Sequence, residues 1–132
     1  MPLHIASPLS PEIELIVERI IGCAIEVHKA LGSGLLEGIY EDALSIEFEH
    51  VGLSYDRQRQ IPLTYRGKPL RSHRLDLVVE GVVLVEIKAV DRLHPVHGSQ
   101  VLSYLRSSGL RVCLLMNFNA YSLKAGLRRY VL

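Results

Sequence analysis

Alternating apolar residues fill two short runs in the middle of the chain, on either side of Glu80-Gly81. All the odd-numbered positions of both runs are apolar: Leu75, Leu77, Val79, Val83, Val85 and Ile87. Because strand side chains alternate between two faces, this pattern predicts a β-hairpin with one core-facing surface. All six residues share that surface only if the strands pair in even register, which a three-residue loop closing with a left-handed Gly81 provides.

The even-numbered positions of the hairpin form the opposite face and bring charged groups together. They are Arg74, Asp76, Val78, Leu84, Glu86 and Lys88. Two convergent carboxylates suit a hard cation such as Mg²⁺ or Mn²⁺. A neighbouring ammonium could hold a water nucleophile or offset charge on a phosphoryl group. Alternatively, the same charges form a surface salt-bridge ladder of little energetic value.

Helical periodicity appears in three other segments. Ser10-Pro11 and an apolar stripe predict a helix that ends at Gly32, with Ser10 as its N-cap. Similar patterns predict helices from about Leu35 to His50 and from about Pro95 to Ser107. Residues 1–9 precede these elements and are predicted to form a short loose tail.

The remaining segments predict strands and turns. Strands are predicted over 55–65, 112–116 and 127–131, a turn over 66–69, and a helical turn over 122–126. With the hairpin these give an α/β fold with a mixed central sheet of about five strands. The chain of 132 residues is predicted to form one domain, 1–132.

Composition excludes several classes of protein. A hydrophobic fraction of 48% with 22% charged residues is typical of a globular protein rather than a disordered one. No apolar run is long enough to span a membrane, and the first residues lack the layout of a signal peptide. Cys23 and Cys113 lie far apart in sequence, so we expect buried thiols in a protein of the reducing cytoplasm.

Charge is distributed unevenly along the chain. Residues 1–50 contain nine acidic residues against two basic ones, whereas residues 51–132 contain thirteen basic residues against five acidic ones. Such asymmetry indicates a polyanion-binding face, unless the two halves neutralise each other across the fold. The candidate nucleic-acid contacts are Arg57, Arg59, Lys68, Arg71, Arg74, Arg128 and Arg129.

Two further motifs accompany the acidic hairpin. Residues 34–40 read G-x-x-E-x-x-Y, and residues 100–104 read Q-x-x-x-Y. Together with Asp76 and the Glu86-Ile87-Lys88 triplet, they resemble the GxxExxY family, a compact branch of the PD-(D/E)XK nuclease superfamily. The resemblance extends from about Ile16 to Val131. It departs from the usual pattern at Leu75, where a proline would precede the motif aspartate.

The resemblance implies a restriction-endonuclease-like core with helices on both faces of the sheet. It also implies roles for the motif residues. Asp76, Glu86 and Glu37 would bind Mg²⁺ or Mn²⁺, and Lys88 would assist the attacking water. Gln100 would orient that water or Lys88, while Tyr40 and Tyr104 would support the geometry.

The function predicted in this way is a metal-dependent phosphodiesterase that acts on DNA or RNA. An alternative is a nucleic-acid-binding or assembly module that retains the fold without catalysis. A zinc site from His73, His94 and His97 is a third possibility, although these residues lack standard ligand spacing. Specificity would come from a homodimer or a protein partner, since one short domain leaves little room for a recognition domain.

Overall fold

The computed structural model describes residues 7–132, which form one mixed sheet with helices on both faces and a small separate ribbon. The elements in chain order are α1 (Pro11–Leu31), α2 (Glu37–Val51), β1 (Tyr55–Ile61), β2 (Thr64–Tyr65), β3 (Lys68–Pro69), β4 (His73–Val79), β5 (Val83–Lys88), α3 (Pro95–Ser108), β6 (Val112–Asn117), α4 (Leu123–Gly126) and β7 (Leu127–Val131).

The main sheet has five strands in the order β1-β4-β5-β6-β7, which confirms the predicted fold class. Only the β5–β6 pair is parallel, and α3 connects those two strands. The other neighbouring pairs are antiparallel. A parallel pair needs a crossover connection, which explains why a helix follows β5.

The β4–β5 hairpin has the predicted loop. Val79 pairs with Val83, and residues 80–82 form a three-residue loop in which Glu80 and Gly81 have φ of 52° and 69°. Leu77 consequently lies opposite Val85, as even register requires.

Helix boundaries agree closely with the periodicity. The Ser10 side chain accepts a hydrogen bond from the Ile13 N–H (3.2 Å), which caps α1, and Gly32 ends that helix with φ of 69°. The second helix starts two residues later than predicted, at Glu37, and α3 begins at Pro95 as expected.

The predicted strand over 55–65 is wrong in its second half. Strand β1 ends at Ile61, immediately before Pro62, because proline has no N–H to donate to a sheet. Residues 64–69 instead form the β2–β3 ribbon, with Tyr65 paired to Lys68. This ribbon forms no hydrogen-bonded ladder with the main sheet.

Residues 7–9 contact the folded part of the chain, where a loose tail was predicted. Leu9 is buried in the main core, and the Ser7 hydroxyl donates a hydrogen bond to Glu14 Oε1 (2.8 Å). The prediction of a loose segment is therefore wrong for residues 7–9, and residues 1–6 lie outside the described part.

Two hydrophobic clusters cover the two faces of the sheet. The larger one packs α1 and α2 against Leu77, Val79, Val83, Val85 and Ile87. The smaller one packs Val101 and Leu105 of α3 against Val78 and Leu84. Cys23 and Cys113 are free and buried, as predicted. No helix within residues 7–132 is both long and apolar enough to cross a membrane.

Candidate active site

The candidate site lies where β4 and β5 separate. Their backbone pairing reaches Leu77 and Val85, and the next two residues, Asp76 and Glu86, replace it with side-chain hydrogen bonds. The Asp76 N–H donates to Glu86 Oε1 (3.0 Å), and the Ile87 N–H donates to Asp76 Oδ2 (2.8 Å). Each carboxylate thus bridges to the opposite strand, which fixes the two acidic groups beside each other.

Side-chain alternation fails on β4 at this point. Leu75 packs with Val78 and Leu84 on the α3 side, whereas Leu77 packs on the side of α1 and α2. Leu75 therefore does not share the core face predicted for all six odd positions. Regular alternation requires a regular strand, and β4 is irregular at Asp76.

The same irregularity affects the neighbouring strand. Gln58 has φ of 54° and is the one position of β1 left out of the pairing between Tyr55 and Ile61. Positive φ is uncommon for a non-glycine residue, and such positions concentrate at functional sites. Gln58 lies opposite Asp76 in the register, so both strands are distorted at the same place.

The even-face prediction needs a corresponding correction. The Glu86 side chain lies on the same side of the sheet as Leu84, which faces α3, because side chains alternate regularly along β5. Asp76 instead lines a cleft together with Glu37 and Glu41 of α2. The carboxylates meet through the opening between β4 and β5 rather than side by side on one flat face.

Burial and mutual repulsion alter the acidity of this pair. Burial, followed by the negative charge of Asp76, raises the pKa of Glu86 to about 8, although the Lys88 ammonium opposes the shift. Burial also raises the pKa of Asp76, and the charges of Glu41 and Glu37 add to the rise. Two carboxyl groups held together in this way favour sharing a proton or binding a cation.

The acidic cleft, of about 340 Å³, lies between α2 and the open end of the hairpin. Its lining residues are Glu37, Gly38, Glu41, Gln58, Arg74, Asp76 and Ile87. Glu41 was missed by the sequence reasoning. It is only 7% exposed and accepts hydrogen bonds from Arg57 Nη2 (2.7 Å) and Gln58 Nε2 (2.6 Å). Its position four residues after Glu37 on one helix face was the available signal.

The G-x-x-E-x-x-Y segment owes its shape to Gly34 and Tyr40. Gly34 has φ of 98°, a conformation that glycine adopts easily. The Tyr40 hydroxyl donates to the Gly32 carbonyl (2.6 Å) and accepts from the Leu35 N–H (3.2 Å). Its ring stacks on Phe118 at 4.6 Å. Tyr40 therefore fixes the loop from which Glu37 begins α2 at the edge of the cleft.

Lys88 ends β5 beside a buried polar anchor. The Phe118 N–H donates to the Lys88 carbonyl (2.9 Å), and the Asn117 amide group exchanges two hydrogen bonds with the Val90 backbone. Asn117 is 3% exposed and fixes the segment that leads from β5 to α3. Its role was not predicted, because a single asparagine at a strand end carries no motif.

His97 lies at the start of α3, where its Nδ1 accepts a hydrogen bond from the His94 N–H (2.9 Å). Burial, followed by the charges of Lys88 and His94, lowers the pKa of His97, while Glu37 opposes the shift. The first turn of α3 is therefore within electrostatic range of the acidic cleft and Lys88.

The Q-x-x-x-Y residues are placed differently from each other. Tyr104 is partly buried with its ring edge against His73 (4.6 Å between centroids), and its pKa is raised by burial and by the charges of Glu86 and Asp76. Gln100 is exposed on α3 and does not line the cleft. The structure thus associates Tyr104, but not Gln100, with the acidic pair.

The predicted basic residues fall into two groups. Arg57 pairs with Glu41 and Asp42, Arg129 pairs with Glu14 (2.7 Å), and Arg128 donates to backbone carbonyls. Among the described residues the other four form no ion pair. Arg59 is on β1 and Arg74 on β4, whereas Lys68 is on the ribbon strand β3 and Arg71 lies between β3 and β4.

The donor set suits a hard cation better than zinc. Within residues 7–132 no three His, Cys, Asp or Glu side chains are arranged as a ready metal-binding group. This applies to the zinc hypothesis, since His73 packs on Tyr104 whereas His94 and His97 lie at the start of α3. It applies equally to Asp76, Glu86 and Glu37, which the structure does not bring together as a three-ligand set. Asp76 and Glu86 form a pair of oxygen donors without an ion-paired cation in the described chain, and Glu37 lines the same cleft.

Comparisons with known proteins identify the superfamily of this chain. Curated proteins and solved structures gave no match. The sequence model of the PD-(D/E)XK nuclease superfamily, in contrast, matches residues 14–130. That range holds both carboxylates, Lys88, the α2 glutamates and all of the five-stranded sheet except Val131, the last residue of β7. The chain therefore belongs to the PD-(D/E)XK nuclease superfamily.

Proposed function

We propose that this protein is a Mg²⁺- or Mn²⁺-dependent phosphodiesterase that cleaves nucleic acid, within the GxxExxY branch of its superfamily. The observation that carries the proposal is the Asp76–Glu86 pair at the opening between β4 and β5, in which Glu86 is buried and Asp76 is half-buried. Burial and the neighbouring negative charge raise the pKa of both carboxyl groups. Keeping both groups charged therefore lowers the stability of the fold unless a cation neutralises them.

Asp76 and Glu86 would hold the metal ion, and Glu37 would contribute from the first turn of α2. A bound divalent ion lowers the pKa of water and stabilises charge on a phosphoryl oxygen. Carboxylates bind metal in their deprotonated form, so metal binding would release the proton that Glu86 holds near neutral pH.

Lys88 would provide positive charge for the phosphoryl group as negative charge develops on it. Its charge acts on Glu86, and its backbone is fixed by the Phe118 N–H. Tyr104 would support this side of the site from α3, and Tyr40 would position Glu37 through the loop it closes. Gln100 would reach the attacking water only after a side-chain rearrangement, because it is exposed and away from the cleft.

The test combines thermal melts, with and without Mn²⁺, and cleavage assays on DNA and RNA. Wild type should gain melting temperature on Mn²⁺ addition, since a ligand of the native state stabilises it. Asp76→Asn should abolish that gain. Lys88→Met should keep the fold and lower cleavage by roughly 10²-fold, the usual loss for one electrostatic stabiliser. Lys124→Met, at an exposed position of α4, is the matched control and should cleave normally.

If wild type shows no Mn²⁺-dependent shift and cuts neither substrate, the enzyme proposal fails. Salt-dependent nucleic-acid binding in the same preparation would then favour the alternative, a non-catalytic binding module. We also propose a cytoplasmic location and a homodimer or partner protein that supplies specificity. Light scattering at micromolar concentration tests the homodimer.

A further inference from the structure

The β2–β3 arm, which we define as residues 64–71, is a basic projection from the sheet. It carries Arg66, Lys68 and Arg71 and contains no acidic residue. Every residue of the arm is exposed, and its two strands pair only with each other. The surface is therefore positively charged and accessible on both sides of the ribbon.

The tip of the arm is built at a conformational cost. Arg66 and Gly67 form a two-residue turn between the paired Tyr65 and Lys68, with φ of 50° and 74°. Two-residue turns with positive φ at both positions favour asparagine, aspartate or glycine at the first of them. An arginine there is unusual, and its guanidinium lies 6.0 Å from the centroid of the Tyr65 ring. The tip of the arm therefore presents a cation at a backbone conformation that arginine rarely adopts.

The arm also leads directly to the acidic cleft. Four residues lie between Arg71 and Asp76 of β4. One of them, Arg74, lines the cleft together with Asp76. On β1, which pairs with β4, Arg59 lies opposite Leu75. From Arg57 to Leu75 the chain has six cations and no acidic residue. Within residues 7–132, Arg57 alone among the six forms an ion pair. Basic residues thus follow the chain from the arm to Arg74 at the cleft.

We propose that the β2–β3 arm enters the major groove of B-form duplex DNA and places the adjacent phosphodiester at the acidic cleft. This inference rests on the proposed function for the cleft and specifies its substrate class. A two-stranded ribbon fits the roughly 12 Å major groove of B-DNA, whereas the major groove of A-form RNA is too deep and narrow. Single strands are bound mainly by stacking on exposed aromatic rings. The arm has one such ring, Tyr65, and the Arg66 guanidinium already lies near its face.

The test measures binding by fluorescence anisotropy in EDTA, so that nothing is cleaved. The probes are one 20-base-pair DNA duplex, its single strand and the RNA duplex of the same sequence, titrated between 50 and 200 mM salt. The arm variant is Arg66→Asn with Lys68→Gln and Arg71→Gln. The matched control is Lys29→Gln with Arg106→Gln and Lys124→Gln, three exposed basic residues outside the arm.

Wild type should prefer duplex DNA. The arm variant should lose roughly 10-fold or more of its duplex affinity, and its salt slope should become shallower by about 0.9 for each lost phosphate contact. The control should keep the duplex preference. Arg66→Asn alone should keep or raise the melting temperature, because asparagine suits a left-handed position, and should still reduce the slope by about one. This single variant decides the question if the triple variant does not fold.

Unchanged duplex affinity in the arm variant would overturn the inference. So would an equal loss on all three nucleic acids, which would make the arm a general polyanion contact. The proposed function fails separately: wild type could lack a Mn²⁺-dependent shift and still bind duplex DNA through the arm. In that case the arm assignment stands and the catalytic proposal does not.

Discussion

The fold treats the acidic groups at and beside the cleft in two different ways. Glu41 accepts hydrogen bonds from Arg57 and Gln58, so its charge is neutralised by its neighbours. Asp76 and Glu86 receive backbone N–H donors but have no ion-paired cation in the described residues. The first arrangement holds α2 against β1. The second leaves negative charge that a metal ion can neutralise, and this difference separates structural acids from candidate functional ones.

The largest expected effect is a pH dependence of metal-free stability. Glu86 has an ordinary pKa of 4.5 and a folded pKa of about 8, so the folded state retains a proton that the unfolded chain has released between these values. The free energy of unfolding therefore falls as pH rises from about 4.5 to 8. The shift corresponds to about 5 kcal/mol, or roughly 15 °C in melting temperature.

Thermal melts in EDTA across this pH range measure the effect. Glu86→Gln mimics the protonated carboxyl group and should flatten the pH dependence while raising stability at pH 8. Added Mn²⁺ should restore stability to wild type at high pH, but not to the variant. A wild-type melting temperature that stays constant from pH 5 to pH 8 would contradict the assigned acidity of the pair.

A smaller effect on stability should follow from removing the ion-pair partner of Glu41. Arg57→Gln leaves Glu41 buried without its cation, and we expect a loss of about 2 kcal/mol of unfolding free energy. The loss is below that of a fully buried pair because the Arg57 side chain is 39% exposed. Urea denaturation measures it.

Arg59→Gln is the control for this experiment, since Arg59 is exposed two residues further along β1 and has no acidic partner in the described chain. It should change stability by no more than about 0.5 kcal/mol. Adding Glu41→Gln to Arg57→Gln should recover part of the loss, because the two side chains interact directly. Equal losses for Arg57→Gln and Arg59→Gln would show that the ion pair is not what stabilises Glu41.

The smallest predicted effect tests the loop that positions Glu37. Tyr40→Phe removes one buried hydroxyl and leaves the Gly32 carbonyl and the Leu35 N–H without that partner. We expect a loss of about 1 kcal/mol and weaker Mn²⁺ stabilisation, because Glu37 starts α2 directly after this loop. Tyr121→Phe, at a ring that is 91% exposed, should change neither quantity. A Tyr40→Phe protein with wild-type Mn²⁺ response would remove Tyr40 from the support of the site.

Much of the framework could be read from residue patterns. Ser10-Pro11 and Gly32 set the ends of α1 because caps depend on local hydrogen bonds and local φ. The three-residue loop at Glu80-Gly81 followed from alternation on its two sides. The motif residues Glu37, Asp76, Glu86 and Lys88 were also identified in the sequence, although their catalytic roles remain predictions.

The sequence by itself determined the ends of α1 and the loop of the β4–β5 hairpin, since caps and tight turns depend on near neighbours in the chain, whereas it misplaced the end of β1. The tertiary structure decided how the acids are used. Leu75 changes face because carboxylates replace backbone pairing at Asp76, which no period-2 pattern can anticipate. Glu41 is neutralised because Arg57 and Gln58, sixteen and seventeen residues away, fold against it. Whether a buried charge is neutralised or left for a ligand depends on partners distant in sequence, and only the packed fold brings them together.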